Sequence, residues 1–304
     1  SDATQAVKEN RFQDAILLLK RILKDQPDNI DALYLSAVSS RFLKKFDESK
    51  SYIMDLLSNA PDMGRAYQEY GHLNRDQGNE EKAVMHYRQA CELNPALLAS
   101  WNFLYQYFTK YKNKPAADHA EEQLKKLKSL PSLLLYISQI LNEGRLGLAE
   151  EKCRAFLKKN PTHTYAMSLL AEIANRLGYF DDAEFLLEKA VEFSPDDGDL
   201  RTKYAEILRK KQKFSKTMEQ VEILCEKFPN NLNYKAQKAS EIMQNGDHQE
   251  AINLLNDILK KNPYNFSTLT SRGHAQKTLG KTDQAIESYQ SAYQIKPDHG
   301  EAFF

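Results

Sequence analysis

The side chains best suited to catalysis or metal binding are seven histidines and three cysteines, scattered along 304 residues. They form no Cys-x-x-Cys pair and no His-Glu-x-x-His motif, and the chain has no glycine-rich phosphate loop or nucleophile elbow. We expect the histidines to be solvated or packed and the cysteines to be small apolar fillers. The sequence thus predicts no catalytic residue, no cofactor site and no metal site. These residues are His72, His86, His119, His163, His248, His274, His299, Cys91, Cys153 and Cys225.

Charge and composition narrow the classes of partner. Lys and Arg total 42 and Asp and Glu total 42, so the formal net charge is zero. A neutral chain gives no electrostatic argument for binding nucleic acid or a membrane surface, and we predict neither partner. An odd number of well-separated cysteines indicates no disulfide framework and favours a reducing compartment. We therefore expect a cytoplasmic protein.

The spacing of the prolines indicates the structural units that would position any site. Nine of the ten prolines are separated by gaps of 34, 34, 36, 30, 34, 34, 34 and 34 residues. A fixed period of this length is typical of stacked supersecondary units. These prolines are Pro27, Pro61, Pro95, Pro131, Pro161, Pro195, Pro229, Pro263 and Pro297.

Each unit is predicted to be a pair of helices, A and B, joined by tight turns. In residues 266–299, one helical pattern ends at Gly280 and a second ends at Pro297. Glycine closes a helix in the left-handed conformation, and proline cannot continue one. A small residue recurs in helix B, where close helix packing leaves no room for a larger one. It is an alanine at Ala15, Ala83, Ala149, Ala183, Ala251 and Ala285.

The period, the helix pair and the positions of key residues resemble the tetratricopeptide repeat. The closest match is "YQEYGHLNRDQGNEEKAVMHYRQACELNP", and "WNFLYQYF" resembles the family's helix A. The resemblance implies an all-α fold, a right-handed α-solenoid superhelix of antiparallel helix pairs with about 17 helices. The residues in family positions are Tyr67, Gly71, Gly78, Ala83, Tyr87, Ala90 and Pro95.

The whole chain, 1–304, is predicted to be a single array. It begins with a partial unit at 10–26, a lone helix B, and ends with a truncated helix at 300–304. Between them we place eight repeats, at 30–63, 64–97, 98–133, 134–163, 164–197, 198–231, 232–265 and 266–299.

The middle of the array departs from the period. Unit 98–133 is two residues longer than the 34-residue period and has Tyr105 at a position that is usually small. Unit 134–163 is four residues shorter than the period. Helix A of the short unit reaches Gly144 early, and Lys44 and Gln212 stand where other units have a turn glycine. Two interpretations stay open. One is drift with local repacking, and the other is a kink that shapes a binding surface.

The resemblance implies that helices A line a concave face that binds a protein or peptide segment. In the first complete units this face is rich in side chains that hydrogen-bond an extended backbone, and arginines there could hold a carboxylate. The family's Lys/Asn clamp for C-terminal carboxylates is not reproduced. The predicted peptide-binding residues are Arg41, Gln68, His72, Arg75, Asn102 and Gln106.

The last residues, "PDHGEAFF", resemble the junction between tetratricopeptide arrays and a sulfotransferase domain in bacterial proteins. That resemblance implies a non-catalytic fragment, the substrate-presenting arm of a larger enzyme whose catalytic domain follows residue 304. The alternative is a free-standing adaptor in assembly or regulation with no enzyme attached. An RNA-binding helical repeat is disfavoured by the neutral charge. The partner's identity and the oligomeric state stay open.

Overall fold

The computed structural model describes residues 2–296, which form eighteen α-helices and no strand. The predicted all-α class of helix pairs is confirmed. In chain order the helices are α1 (Asp2–Lys8), α2 (Phe12–Asp25), α3 (Ile30–Phe42), α4 (Phe46–Asn59), α5 (Gly64–Asp76), α6 (Glu80–Leu93), α7 (Leu98–Lys110), α8 (Lys114–Lys128), α9 (Ser132–Asn142), α10 (Leu146–Lys159), α11 (Thr164–Arg176), α12 (Phe180–Phe193), α13 (Gly198–Lys210), α14 (Phe214–Lys227), α15 (Leu232–Gln244), α16 (His248–Lys261), α17 (Phe266–Thr278) and α18 (Thr282–Ile295).

The stretch predicted as a lone helix B, 10–26, holds one helix, α2, but a further helix that was not predicted from the sequence lies before it. Helix α1 precedes it and packs on α2 through Ala3 and Ala6, which lie against Ala15 and Leu19. The short α1 escapes a periodicity argument because its seven residues hold too few apolar positions to show a helical stripe. The predicted last helix, 300–304, lies outside the described residues.

Turn geometry is regular even where the glycine is missing. The five turn glycines have φ between 71° and 93°. Lys44 and Gln212 adopt the same left-handed conformation, with φ of 58° and 57°. A side chain in that conformation costs about 1 kcal/mol, which the packed helices on either side offset.

The small helix-B residues are buried as expected, and all six alanines are at most 3% exposed. The described chain divides after Ala155 into two compact units. The first unit contains α1 to α9 and the start of α10, and the second contains α11 to α18. Across residues 2–296, no helix combines the length and apolarity that crossing a membrane requires.

Candidate functional site

Five of the six predicted site residues lie on two neighbouring helices of the first unit. Gln68, His72 and Arg75 are on α5, and Asn102 and Gln106 are on α7. Helix α5 packs beside α3 on one side and α7 on the other. The Ser100 hydroxyl on α7 donates to Gln68 Oε1 at 3.0 Å and ties the two helices together. We call these five residues, Gln68, His72, Arg75, Asn102 and Gln106, the polar strip.

His72 is held by a tyrosine from helix α6. The Tyr87 hydroxyl lies 2.6 Å from His72 Nδ1, and the two rings meet edge to face. Burial, with the nearby charges of Arg41 and Arg75 acting in the same direction, lowers the pKa of His72 to about 4. The ring is therefore neutral at pH 7. When the tyrosine donates to Nδ1, the His72 Nε2 carries the proton and can donate to a ligand.

Arg75 has its guanidinium fixed by a neighbour. Its Nε and Nη2 donate to Asp76 Oδ1 at 3.0 and 2.7 Å, and the side chain remains 43% exposed. Asn102 and Gln106 are one turn apart on α7 and exposed. Within residues 2–296 their side-chain amides make no hydrogen bond, so both amides are available to a ligand.

Arg41 differs from the other predicted residues because it is only 7% exposed and each of its three guanidinium nitrogens already donates to a carboxylate. It donates from Nε and Nη2 to the Glu69 carboxylate at 2.5 and 3.3 Å, and from Nη1 to Asp76 Oδ2 at 2.8 Å. Burial raises the pKa of Glu69 although Arg41 opposes the shift. Arg41 thus positions Asp76, which in turn holds Arg75, and its own guanidinium is buried against the carboxylates of Glu69 and Asp76.

Sequence reasoning missed a second feature of this face. The end of α9 and the following turn, residues 139–145, pack back onto the first repeats; we call this stretch the fold-back segment. Gln139 Nε2 donates to the Ala96 backbone carbonyl at 3.0 Å, and the Gln139 backbone carbonyl accepts from Asn94 Nδ2 at 3.1 Å. Asn142 Nδ2 lies 3.4 Å from Asn94 Oδ1. Because Asn94 is completely buried, these contacts anchor the segment.

Further along, the fold-back segment reaches earlier repeats. Arg65 Nη2 donates to Glu143 Oε2 at 2.8 Å, and the Glu143 side chain is only 5% exposed. Arg145 lies 3.9 Å from Asp31. Later residues of the fold-back segment therefore contact earlier parts of the chain. Gln139 contacts the turn before α7, Glu143 contacts α5, and Arg145 contacts α3. Asp31 and Arg65 are each the second residue of their helices, α3 and α5.

An open cleft adjoins the fold-back segment. Its volume is about 490 Å³. Asp31, Tyr34, Arg65 and Arg145 contribute its polar lining. Its apolar lining comes from α2 and α3, through Leu19, Ile22, Ala32 and Leu35. The only sequence signal for this architecture was the pair of irregular proline gaps, 36 and 30, around Pro131.

Metal chemistry finds no support in the described part of the chain. Among residues 2–296, no three His, Cys, Asp or Glu side chains lie close enough to share a metal ion. Burial raises the pKa of the Cys91 thiol to about 12, so this thiol stays protonated and unreactive at pH 7.

Comparisons with solved structures return other repeat arrays. YrrB, described as a TPR protein with an unusual peptide-binding site, is 16% identical, with 71% of this chain and 95% of that chain covered and a TM-score of 0.46. MamA from Desulfovibrio magneticus RS-1 is 10% identical, with 57% and 99% covered and a TM-score of 0.49. Another MamA structure is 15% identical, with 53% and 94% covered and a TM-score of 0.48. No curated protein sequence matches the chain.

Three family models match separate stretches. The model "Psidin, N-terminal TPR repeats region" matches residues 200–303, and two tetratricopeptide-repeat models match residues 64–97 and 141–198. These stretches lie in both compact units and together span more than half of the chain. The chain is therefore a tetratricopeptide-repeat protein, a member of a group whose helical arrays are generally non-catalytic scaffolds for protein interactions.

Proposed function

We propose that the face formed by α3, α5 and α7 binds an extended peptide or flexible protein segment through the polar strip. The observation that supports this most is the pair of exposed, unbonded amides of Asn102 and Gln106, beside three polar side chains that their neighbours already hold. An amide both donates and accepts, so it can pair with a peptide backbone whatever the peptide's sequence.

The held side chains reduce the entropy lost on binding. Gln68 is fixed through its oxygen by Ser100. His72 is fixed through Nδ1 by Tyr87. Each therefore has one nitrogen left for a ligand, already oriented. Ordering a flexible side chain costs about 0.5–1.5 kcal/mol, and a preorganised strip avoids most of that cost. Arg41 enters this proposal as a positioning residue rather than as a ligand contact.

The wider role has two candidates. The strip could belong to a free-standing adaptor, or to the substrate-presenting arm of a sulfotransferase-like enzyme. The sulfotransferase link and the cytoplasmic location stay predictions, since no observation on residues 2–296 bears on either. The same holds for the predicted absence of nucleic-acid and membrane partners.

The test begins with peptides selected on the unmodified chain from a random displayed library. The double variant Asn102→Ala and Gln106→Ala should bind a selected peptide about thirtyfold more weakly, since two lost hydrogen bonds cost about 1 kcal/mol each. A matched control is Gln249→Ala with Asn253→Ala, which removes an exposed amide pair of the same spacing from α16. Equal loss in both double variants, or no loss in the first, would contradict the groove assignment.

A further inference from the structure

We propose that Arg65 is a carboxylate-recognition site for a partner segment, which takes the place that Glu143 of the same chain occupies. The surface comprises Asp31, Tyr34, Arg65 and the adjoining cleft. The partner it fits carries an acidic group next to an aliphatic side chain. This inference rests on the proposed function, because it names the chemistry of the segment that the first repeats bind.

Arg65 is held in place independently of Glu143. Its guanidinium carbon lies 4.7 Å from the centre of the Tyr34 ring, within the range of a cation–π contact. The Arg65 side chain is 25% exposed, so part of the guanidinium faces solvent even with Glu143 in place. When Glu143 leaves, the ring still orients a planar donor that suits a bidentate carboxylate.

In its buried position, the Glu143 carboxylate is only partly compensated for the hydration that it has lost. Burial raises the pKa of Glu143 even though Arg65 and Arg145 lower it, and the nearby Asp31 adds to the rise. When Glu143 is released into water, its carboxylate is hydrated again. This hydration offsets part of the free energy lost when the ion pair with Arg65 breaks. The neighbouring Arg145–Asp31 contact is long, at 3.9 Å, and both side chains are more than 40% exposed, so it adds little resistance.

The structure also separates the anchored part of the fold-back segment from the part that must move. Gln139 and Asn142 are bonded to the buried Asn94 and remain in place. Beyond them, Gly144 has a φ of 74° and no atom within 4 Å of where a Cβ would lie. The turn backbone itself stays bonded to α9, through Gly144 N to the Leu141 carbonyl at 3.0 Å and Arg145 N to the Ile140 carbonyl at 3.0 Å, so only the Glu143 side chain has to move.

The cleft supplies the second half of the recognition. Ile22 and Leu35 provide an apolar wall next to Arg65, and a volume of about 490 Å³ is ample for an aliphatic side chain. A carboxylate on Arg65 would place the adjoining residues of the partner over this wall. The chain's own sequence here, "QILNEGRL" at residues 139–146, has the same chemistry, a glutamate between leucines.

The experiment uses that sequence as the probe. A fluorescent peptide, QILNEGRL, is titrated against the full chain, and binding is followed by anisotropy. Glu143→Ala should bind the peptide at least tenfold more tightly than the unmodified chain, because its Arg65 is vacant. Glu151→Ala, which removes an exposed glutamate from α10, should bind like the unmodified chain. The double variant Arg65→Ala with Glu143→Ala should lose the gain.

A peptide with glutamine in place of its glutamate should bind Glu143→Ala at least tenfold more weakly. If it binds equally well, or if Glu143→Ala binds no better than the unmodified chain, the carboxylate site is wrong. Glu143→Gln serves as a second opened variant should Glu143→Ala fail to fold. Failure here together with a positive result for Asn102 and Gln106 would overturn only this inference and leave the polar strip standing.

Discussion

The two compact units differ in how far along the chain their side-chain contacts reach. In the second unit, bonds between repeats join residues about one repeat apart, as in Lys203 to Ser168, 35 residues apart, and Arg209 to Glu241, 32 apart. The first unit has such bonds too, but its fold-back segment also joins Gln139 to Ala96, 43 residues apart, and Glu143 to Arg65, 78 apart.

The difference follows from the spacing of the repeats. A strict period makes each repeat contact only its neighbours, and stability then propagates step by step along the array. The gaps of 36 and 30 residues around Pro131 break that rule, and α9 returns toward α5 and α3. Only the first unit should therefore show coupling across several repeats.

The largest effect on stability should come from truncating one buried isoleucine in each unit. Ile137 on α9 and Ile173 on α11 are 0% and 1% exposed. Either change to alanine should cost about 2–5 kcal/mol of unfolding free energy. Hydrogen exchange should then distinguish the two. Ile137→Ala should deprotect the start of α5 as well as α9, because the fold-back segment loosens, whereas Ile173→Ala should act on α11 and its neighbours alone.

Exchange at α5 that is unchanged in Ile137→Ala would mean that the fold-back contacts carry no coupling. Leu133→Ala is a suitable control, since Leu133 is on the same helix but 40% exposed. This change should leave exchange at both α5 and α9 close to that of the unmodified chain.

Two ion pairs of similar burial allow a sharper version of the comparison. Arg65–Glu143 and Arg209–Glu241 each join a partly exposed arginine to a buried glutamate. Removing one partner of a buried pair leaves an uncompensated charge, so Arg65→Ala and Arg209→Ala should each cost about 3 kcal/mol at pH 7. Denaturant titration of each unit's transition measures this.

The two variants should raise amide exchange in different parts of the chain. Arg65→Ala should raise amide exchange in residues 139–145, and Arg209→Ala should raise it only in α13, α15 and their partners. If Arg65→Ala leaves the fold-back segment fully protected, Gln139 and Asn142 hold it alone.

The sequence predicted the regular parts of the fold well, because those parts are set by local rules. Turn prolines, turn glycines and the small residue of helix B each act within one repeat, so Ala83 and Ala183 could be assigned to the core without a structure. The left-handed turns at Lys44 and Gln212 follow the same geometry without glycine, because the helices on both sides dictate it.

The fold-back segment could not be predicted in the same way. The irregular gaps showed where the period fails but not where the freed helix goes, since its destination depends on contacts 43 to 78 residues away. Arg41 shows a related limit. Its position in the repeat favoured the concave face, and only the structure reveals that Glu69 and Asp76 take up its guanidinium.

A smaller effect is expected from pH. The pKa of His72 is lowered to about 4 by burial, with Arg41 and Arg75 adding to the shift and Asp76 opposing it. The unfolded chain binds this proton more readily than the folded chain. The stabilisation is therefore complete above pH 6.5 and is lost as the pH falls toward 4. Between pH 7 and pH 5 the loss should be about 2 kcal/mol.

Replacing His72 by glutamine should flatten the pH dependence of the first unit's transition and leave that of the second unit unchanged. Ring-proton NMR checks the origin directly. A titration midpoint for His72 above pH 6 would show that the imidazole is more hydrated than its packing against Tyr87 implies.

The smallest predicted effect compares a motif that occurs in both units. Gly71 and Gly273 each leave room for a tyrosine ring, since a Cβ would lie 2.8 Å from Tyr87 Cδ1 and 2.6 Å from Tyr289 Cε1. Each hydroxyl then reaches a histidine Nδ1, at 2.6 Å for His72 and 2.9 Å for His274.

Tyr87→Phe and Tyr289→Phe each remove one such hydrogen bond, worth about 1 kcal/mol. The loss should be larger for Tyr87, because His72 is half-buried and cannot replace the bond with water as easily as the exposed His274 can. Tyr87→Phe should also weaken peptide binding by the polar strip, since His72 loses the contact that orients its ring. Thermal unfolding of the two variants and one peptide titration measure these effects. An equal loss of stability in both units, with unchanged peptide affinity, would show that the tyrosine hydroxyl only supports the fold.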